Sequence, residues 1–192
     1  MFEKFIFGGK PMRKNVIKGQ LSLTDYTFPE VVIRLKEDRQ YYCNKTVSAN
    51  SAAEMYKSVI HEMTKDLDRE HVFAYNLDNH GHILNYTTVS IGTQTCSAVD
   101  PIAIFKAAIL SNATSVILAH NHPSGDPDPS AEDDEFTKRM ISAGAIIGIP
   151  LLDHIVAGDN TYYSYREENY DLFDDYAEVA EKMIRYKKSR KK

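Results

Sequence analysis

Four side chains that can bind a metal ion or donate a hydrogen bond stand close together in this 192-residue sequence. In the segment ILAHNHPSGDPDPSAEDDE, His120 and His122 are one residue apart at the end of an apolar run. Ser130 and Asp133 follow a proline-rich loop. In a β-strand, residues i and i+2 project from the same face. If the run SVILA leaves the core as a strand, both imidazoles therefore lie side by side at its end.

Two histidines in this arrangement predict a site for a divalent metal ion. Zinc takes nitrogen, sulfur and oxygen ligands, and a catalytic zinc typically has three protein ligands and a water. Asp133 is the candidate third ligand, because a folded-back loop brings the first turn of the next helix to the histidines. The prolines of that loop lower the entropy lost in fixing it. Two nitrogens and one oxygen suit several divalent ions, so the spacing leaves the identity of the metal open.

Each of these residues also has an explanation that needs no metal. A lone histidine is commonly a surface or core residue, and Ser130-x-x-Asp133 is a helix-start pattern, with a hydroxyl cap and an acid in the first turn. These explanations do not account for a His-x-His pair at the point where a buried strand meets a rigid loop. The spacing therefore favours the metal site.

The pattern His120-x-His122, seven residues, Ser130, two residues, Asp133 resembles HxHx7SxxD, the metal signature of the JAB/MPN (JAMM) metalloprotease superfamily. The run HNHPSG is similar to the RadC-like branch of that superfamily, and the likeness covers residues 48–166. The resemblance implies that the two histidines and Asp133 bind Zn²⁺. It also implies that Ser130 donates a hydrogen bond to the oxyanion of a tetrahedral intermediate.

Glu70, in LDREHVF, is a residue that spacing alone does not identify, because an exposed acid at a helix end would look the same. Its place matches the glutamate that family members carry at the start of an early strand. The resemblance implies a general base that takes a proton from the attacking water and returns it to the leaving amine. The implied function is a zinc-dependent hydrolase, a peptidase or isopeptidase that cleaves amide bonds in a protein or peptide substrate.

A DNA-associated protein, acting through nucleic-acid or protein binding, is the alternative function, because RadC-like proteins have been linked with DNA repair. The tail RYKKSRKK carries six positive charges and no acid, and such a tail can contact phosphates. A solvated chain end is the simpler interpretation of it. A third possibility, a non-catalytic scaffold, is disfavoured by the intact ligand set.

The sequence departs from the RadC-like pattern in two places. The middle helix begins with Pro101-Ile102-Ala103, where RadC-like chains usually have Pro-Arg-Glu. Residues 1–47 show no glycine-hairpin pattern of the helix-hairpin-helix kind. The DNA contact associated with that region is therefore not supported. Asp153 and His154, in LLDHIVAG, do match the family, and packing within a strand is favoured over contact with a metal ligand.

Composition favours an ordinary globular protein without a membrane span. Hydrophobic residues make up 43% and charged residues 26% of the chain, and the net charge is -4, which offers no basic field for nucleic acid. No apolar run approaches the roughly 20 residues that a bilayer requires. Two cysteines, Cys43 and Cys96, do not make a disulfide framework. The expected location is a reducing cytoplasm, and the oligomeric state is left open.

The alternation of helical and strand patterns predicts an α/β fold. The resemblance implies a JAB/MPN-type three-layer arrangement, in which helices flank a mixed central β-sheet. The predicted division is an N-terminal extension at 1–47, the RadC-like domain at 48–166, and a C-terminal amphipathic helix with a basic tail at 167–192. A strand is also predicted at Val31–Leu35.

Local signals predict the elements of the domain. A helix over 48–67 is capped by Asn50 or Ser51, and the next helix begins with Asp100 as its cap and Pro101 at its first position. HVFAYNL and HILNYTTV form a hairpin around the turn DNHG. The helix after the proline-rich loop is predicted to end at Gly144. LLDHIVAG and TYYSY form a closing hairpin.

Overall fold

The computed structural model describes residues 51–92, 99–169 and 171–174. Five strands form its sheet: β1 (His71–Leu77), β2 (Ile83–Ile91), β3 (Ser115–Asn121), β4 (Leu151–Ala157) and β5 (Tyr162–Ser164). A first helical stretch consists of α1 (Ala52–Met55), a π-helical segment (Tyr56–Ile60) and α2 (His61–Thr64). The other helices are α3 (Pro101–Leu110), α4 (Ala131–Ile147) and the short α5 (Tyr165–Glu168).

The sheet is mixed, as predicted, and its order is β2-β1-β3-β4-β5. β1 is antiparallel to both β2 and β3, β3 is parallel to β4, and β5 is antiparallel to β4. All seven residues of the central strand β3 are buried. A strand covered on both faces needs apolar side chains in succession rather than in alternation, which explains the run SVILA.

Helices cover both faces of the sheet, which confirms the α/β class and the three layers. One core cluster joins α3 and α4 to one face, through residues such as Phe105, Phe136 and Leu118. The other joins the first helical stretch to the opposite face, through Met55, Ile60 and Tyr75. Successive strand residues alternate between the two clusters because side chains alternate along a strand.

The helix starts agree with their sequence signals. The Ser51 hydroxyl accepts a hydrogen bond from Glu54 N, and the Asp100 carboxylate accepts one from Ile102 N. Each cap satisfies a backbone N–H that has no partner within its helix. The hairpin of β1 and β2 and the closing hairpin of β4 and β5 are also confirmed.

The predicted end of α4 at Gly144 is wrong. The helix continues to Ile147 and ends at Gly148, whose φ of +87° suits glycine. Gly144 lies inside the helix, where an added Cβ would stand 2.6 Å from the Ile149 carbonyl oxygen. That glycine is therefore required by close backbone packing rather than by helix termination.

Several predictions fall on residues that the structure does not describe. They concern the 1–47 extension, the strand at Val31–Leu35, Cys43, Cys96 and the basic tail. The predicted C-terminal helix is described only at its start, where α5 gives way to a non-helical Asn169 and residues 171–174 form another helical turn. In the part of the chain that is described, no helix combines the length and the apolar character required to cross a membrane.

Candidate metal centre

The two histidines of the HNH run share one face at the end of β3, as predicted. His120 is the penultimate residue of the strand and is fully buried. His122 follows the strand, and its backbone N–H donates to the Ala157 carbonyl at 3.0 Å, which continues the alignment with β4. The Nε2 atoms of His120 and His122 lie 3.1 Å apart.

Asp133 reaches the histidines from the first turn of α4. Its Oδ1 lies 3.4 Å from His120 Nε2, and its Oδ2 lies 3.5 Å from His122 Nε2. Asp133 is only 3% exposed. The proline-rich loop therefore folds back as the sequence predicts, and three side chains from two elements meet at one point.

These donor atoms fit a tetrahedral zinc ion. With ligand bonds of about 2.0–2.1 Å, tetrahedral geometry places neighbouring donors about 3.3 Å apart. The two Nε2 atoms are 3.1 Å apart, and each lies 3.4 or 3.5 Å from a different oxygen of the Asp133 carboxylate. One atom from each residue lies within 4.8 Å of the other two. Two imidazole nitrogens and one carboxylate leave a fourth position, which is the donor set of a catalytic rather than a closed structural zinc site.

The tautomer of His122 is determined by the proline-rich loop. Its Nδ1 lies 2.8 Å from the Asp126 carbonyl oxygen. Because a carbonyl can only accept, Nδ1 carries the proton, and the lone pair of the neutral ring lies on Nε2.

The proline-rich loop is in contact with the loop after β4. Asp159 N donates to the Gly125 carbonyl at 3.1 Å. Gly158 packs tightly on Gly125, because a Cβ added at Gly158 would clash with the Gly125 carbonyl oxygen.

A chain of buried hydrogen bonds determines the tautomer of His120. Thr137 Oγ1 donates to the Asp133 carbonyl at 2.7 Å, so it accepts from His154 Nδ1 at 2.6 Å. The neutral His154 ring then presents its Nε2 as an acceptor to His120 Nδ1 at 2.8 Å. His120 Nδ1 is therefore the protonated nitrogen, and its Nε2 lone pair points toward Asp133 and His122.

His154 is buried in the core and also contacts a candidate metal ligand. It packs in the core, with its ring stacked on Tyr165 at 5.2 Å and edge-on to Phe136. It also contacts His120 directly, so His154 does both things that the sequence allowed, packing in the strand and contacting a candidate ligand. A fully buried histidine inside the apolar strand LLDHIVA was the available signal, because a buried imidazole needs polar partners for its nitrogens.

Asp133 and the imidazoles beside it shift one another's pKa values. Burial acts to raise the pKa of Asp133, but the contacts with His120 and His122 outweigh burial and hold that pKa far below its usual value. The same contact with Asp133 raises the pKa of His122, against the effect of burial. Burial lowers the pKa of His154 well below its usual value, so this ring is neutral at physiological pH.

Glu70 lies at the edge of this cluster, immediately before β1, which agrees with its predicted place at the start of a strand. It is half-buried. Its negative charge contributes to the raised pKa of His122, which places it within electrostatic reach of the donor cluster. Glu70 is not one of the converging donors. The candidate base is therefore close enough for its charge to affect His122, and it lies outside the group of converging donors.

Ser130 is the N-cap of α4 and forms a capping box with Asp133. Its hydroxyl accepts from Asp133 N at 3.2 Å and donates to Asp133 Oδ2 at 2.7 Å, and its own N–H donates to the same oxygen at 2.8 Å. Ser130 therefore orients the candidate ligand. Its expected role as an oxyanion donor stays a prediction, and that role requires the hydroxyl proton to turn away from Asp133.

A cavity of about 130 Å³ opens beside His122. It lies between the end of the first helical stretch and the loop after β4, with Thr64 and Lys65 on one side and Gly158 and Asp159 on the other. Because His122 forms part of its wall, a group bound in this cavity would lie next to the metal donors.

A second group of possible metal donors lies on the β1–β2 turn. Asp78, His80 and His82 each offer one atom within 4.8 Å of the others. Asp78 Oδ1 accepts from the backbone N–H groups of His80 and His82, and its Oδ2 lies 3.2 Å from His82 Nδ1. These contacts are those of an aspartate that stabilises a tight turn.

The mixed sheet, its two helical layers and the His-His-Asp cluster at the end of the central strand define a JAB-type α/β domain with a candidate metal site. The family model described as "RadC-like JAB domain" matches residues 49–170. The chain therefore belongs to the RadC-like JAB domain family.

Similar curated proteins carry the name "UPF0758 protein". One from Desulforamulus reducens is 51% identical over 110 residues, which is 57% of this chain and 48% of the relative. One from Methanococcoides burtonii is 42% identical over 120 residues, 62% of this chain and 52% of the relative. One from Caldanaerobacter subterraneus is 43% identical over 127 residues, 66% of this chain and 54% of the relative. The chain spans about half the length of these relatives.

Proposed function

We propose that this protein is a zinc-dependent hydrolase of the JAMM type, a peptidase or isopeptidase that cleaves amide bonds. The observation that carries the proposal is the convergence of His120 Nε2, His122 Nε2 and an Asp133 carboxylate oxygen. Both histidines have their Nδ1 atoms engaged elsewhere, so the lone pairs that a metal needs face one point. A zinc ion held there would act as a Lewis acid toward the amide carbonyl and would favour deprotonation of water.

Glu70 is the proposed general base in this reaction. Its carboxylate takes a proton from the attacking water and passes it to the leaving amine, which otherwise would depart as an unstable anion. Its place outside the ligand set suits this role, because a carboxylate bound to a metal ion is a weaker base than a free one. Its nearness to His122 supports the assignment.

Ser130 is the proposed donor to the substrate oxyanion. Its hydroxyl borders the donor cluster and is already held at Asp133 Oδ2. When negative charge develops on the carbonyl oxygen, the hydroxyl proton has a stronger acceptor to turn to. Ser130 N continues to donate to Asp133 Oδ2 at 2.8 Å, so the carboxylate stays held by one of its two bonds.

The proposed substrate is a protein or peptide. The cavity beside His122 carries a lysine and an aspartate at its walls, Lys65 and Asp159. A small polar side chain or a backbone segment next to the scissile bond fits its volume of about 130 Å³. A lining of this kind suits polar peptide groups better than an apolar ligand.

The test is cleavage of a proteome-derived peptide library and of peptides joined through a lysine isopeptide bond by the zinc-loaded chain, with the products identified by mass spectrometry. Glu70→Gln keeps the size of the side chain but removes its ability to accept a proton at neutral pH. We expect its cleavage rate to fall by roughly 10²–10⁴-fold, the usual range for loss of a general base. Zinc content should be unchanged.

The matched control is Glu135→Gln, which removes the same charge from an exposed position on α4. Its cleavage rate should equal that of the unmodified chain. The proposal fails if the zinc-loaded chain cleaves neither peptide nor isopeptide bonds, or if Glu70→Gln cleaves as fast as the control.

A further inference from the structure

Asn121 stands between the two histidines in sequence but takes no part in the donor cluster. It is the last residue of β3 and is only 4% exposed. Because side chains alternate along a strand, its amide leaves from the face opposite to the imidazoles. A buried primary amide has donors and an acceptor that must all be satisfied, so its partners are informative.

Those partners are the two backbone groups on either side of Glu70. Asn121 Oδ1 accepts from His71 N at 2.9 Å, and Asn121 Nδ2 donates to the Arg69 carbonyl at 3.1 Å. Only this orientation of the amide pairs a donor with an acceptor in both contacts. One side chain thus holds the peptide group that enters Glu70 and the peptide group that leaves it.

The segment held in this way has little regular structure of its own. Residues 68–70 precede β1, and the pairing of β1 with β3 ends at Val72 and His120. The amide of Asn121 continues that pairing past the end of the ladder. On the other side, the Glu70 carbonyl accepts from Gly92 N at 2.8 Å. The backbone of Glu70 is therefore fixed from both neighbouring strands.

We propose that Asn121 is a positioning residue that holds the backbone of Glu70 in register with the His120–His122 pair. The inference rests on the proposed function, in which Glu70 is the base. The strand that presents the two imidazoles on one face presents on its other face the amide that fixes the base. The relative placement of base and ligands is thereby set by three consecutive residues.

An amide is the side chain that this role requires. Aspartate can accept from His71 N but presents a second acceptor to the Arg69 carbonyl, so one of the two bonds becomes a repulsion. Glutamine keeps both kinds of atom but displaces them by one methylene. Both changes leave the metal donors untouched, because Asn121 contacts none of them through its side chain.

The test compares Asn121→Asp and Asn121→Gln with the unmodified chain, all loaded with zinc. A misplacement of about 1 Å can cost roughly 10²-fold in turnover. We expect kcat on a library-derived peptide to fall by about that factor in both variants, while zinc content changes little. Asn121 also lines the cavity beside His122, so KM is not used as a readout. Asn79→Asp adds the same charge at an exposed position and is the control.

The diagnostic readout is the combination of Asn121→Asp with Glu70→Gln. If Asn121 acts through Glu70, the double variant should be no slower than Glu70→Gln alone, because a base that cannot accept a proton has no position to lose. A general structural weakening would multiply the two losses. Multiplied losses, or an unchanged kcat in both single variants, would overturn the proposal.

A second measurement does not depend on catalysis. In Asn121→Asp and Asn121→Gln, hydrogen exchange of the His71 amide should accelerate relative to Asn79→Asp, because its acceptor is displaced or its segment is loosened. If the unmodified chain cleaves nothing, yet His71 exchange accelerates, the proposed function fails while the backbone contact stands. Unchanged His71 exchange in a folded Asn121→Gln chain would refute the positioning role, even if Asn121→Asp does not fold.

Discussion

The molecule contains two His-x-His pairs with an aspartate, and they differ in almost everything except composition. His120, His122 and Asp133 lie at the end of the central strand, and His80, His82 and Asp78 lie on a hairpin turn. In the first group one histidine and the aspartate are buried. In the second the side chain of His82 is 46% exposed and that of Asp78 is 30% exposed.

The contacts beyond the donor atoms separate the two groups further. Each histidine of the buried group has its Nδ1 occupied, by His154 or by the Asp126 carbonyl, so both lone pairs converge. On the turn, the Nδ1 of His82 faces Asp78, and the ring of His80 is stacked on that of His82 at 5.9 Å. The Asp78 carboxylate is used by the turn itself.

Two groups with the same residue types within reach of one another thus differ in how far their side chains are oriented before any ligand binds. A preorganised site loses little conformational entropy on binding, because burial and outer hydrogen bonds have already oriented its ligands. An exposed pair must lose side-chain freedom and compete with water.

The largest expected effect is that of His154→Ala. Removal of a fully buried ring should lower the free energy of unfolding by about 3 kcal/mol, in the range of other large-to-small core changes. Because His120 Nδ1 also loses its acceptor, zinc affinity should fall by roughly 10–100-fold. Calorimetric zinc titration and chemical denaturation measure the two effects. His82→Ala, the matching change on the turn, should produce neither of them.

Asp153→Asn should remove a pH dependence of the free energy of unfolding that arises from the burial of this carboxylate. Burial raises the pKa of Asp153 to about 6, although Ser164, Arg166 N and His154 N all donate to its carboxylate. The folded state thus holds this proton more tightly than the unfolded state. Its stabilising contribution is full below pH about 4 and is lost as pH rises through about 6.

Over that window the free energy of unfolding of the unmodified chain should fall relative to that of Asp153→Asn, by at most about 3 kcal/mol. Denaturation at a series of pH values between 4 and 7 measures the difference. For Asp78 on the β1–β2 turn, the pH dependence of stability should have the opposite sign, because hydrogen bonds from His82 N and His80 N lower its pKa. If the free energies of unfolding of the unmodified chain and Asp153→Asn change with pH in parallel, the pKa of Asp153 is not raised by folding.

Thr137→Val is a nearly isosteric change that breaks the hydrogen-bond chain behind His120 at its middle. The buried His154 Nδ1–H loses its acceptor, which should lower the free energy of unfolding by about 1–3 kcal/mol. Zinc affinity should fall less than in His154→Ala, because His154 still contacts His120. If Thr137→Val binds zinc as weakly as His154→Ala does, then zinc affinity depends on the tautomer of His154 and not only on the presence of its ring.

The smallest effect is expected from Asp78→Ala. The turn loses an acceptor of two backbone N–H groups, so the melting temperature should fall slightly. Zinc affinity should not change, and the cleavage rate should not change either. A loss of zinc in this variant would remove the distinction between the two groups.

The sequence predicted the donor cluster well because its geometry is local. The shared face of His120 and His122 follows from strand periodicity, and the return of Asp133 follows from one short, rigid loop. The helices and strands around that loop were predicted from caps, turns and apolar runs, which also depend on neighbouring residues. The resemblance added Glu70, and the structure places it before β1 as that resemblance implies.

The features that the sequence did not predict, or left open, depend on contacts between distant parts of the chain. Asn121 meets the segment of Glu70 only because β1 and β3 pair in one register, with Val72 opposite His120. His154 meets His120 through the packing of two parallel strands. Gly144 was misassigned because a glycine near a helix end serves either as a terminator or as a close-packing position. Only tertiary structure separates those two uses.

The most direct test of the metal centre is the zinc content of three purified forms after dialysis, measured by elemental analysis. The unmodified chain should retain about one zinc per chain, as expected for a single three-ligand site. His80→Ala/His82→Ala should retain the same amount, and His120→Ala/His122→Ala should retain none. Full zinc in the His120/His122 variant, or its loss from the His80/His82 variant, would contradict the assignment of the buried group as the metal centre.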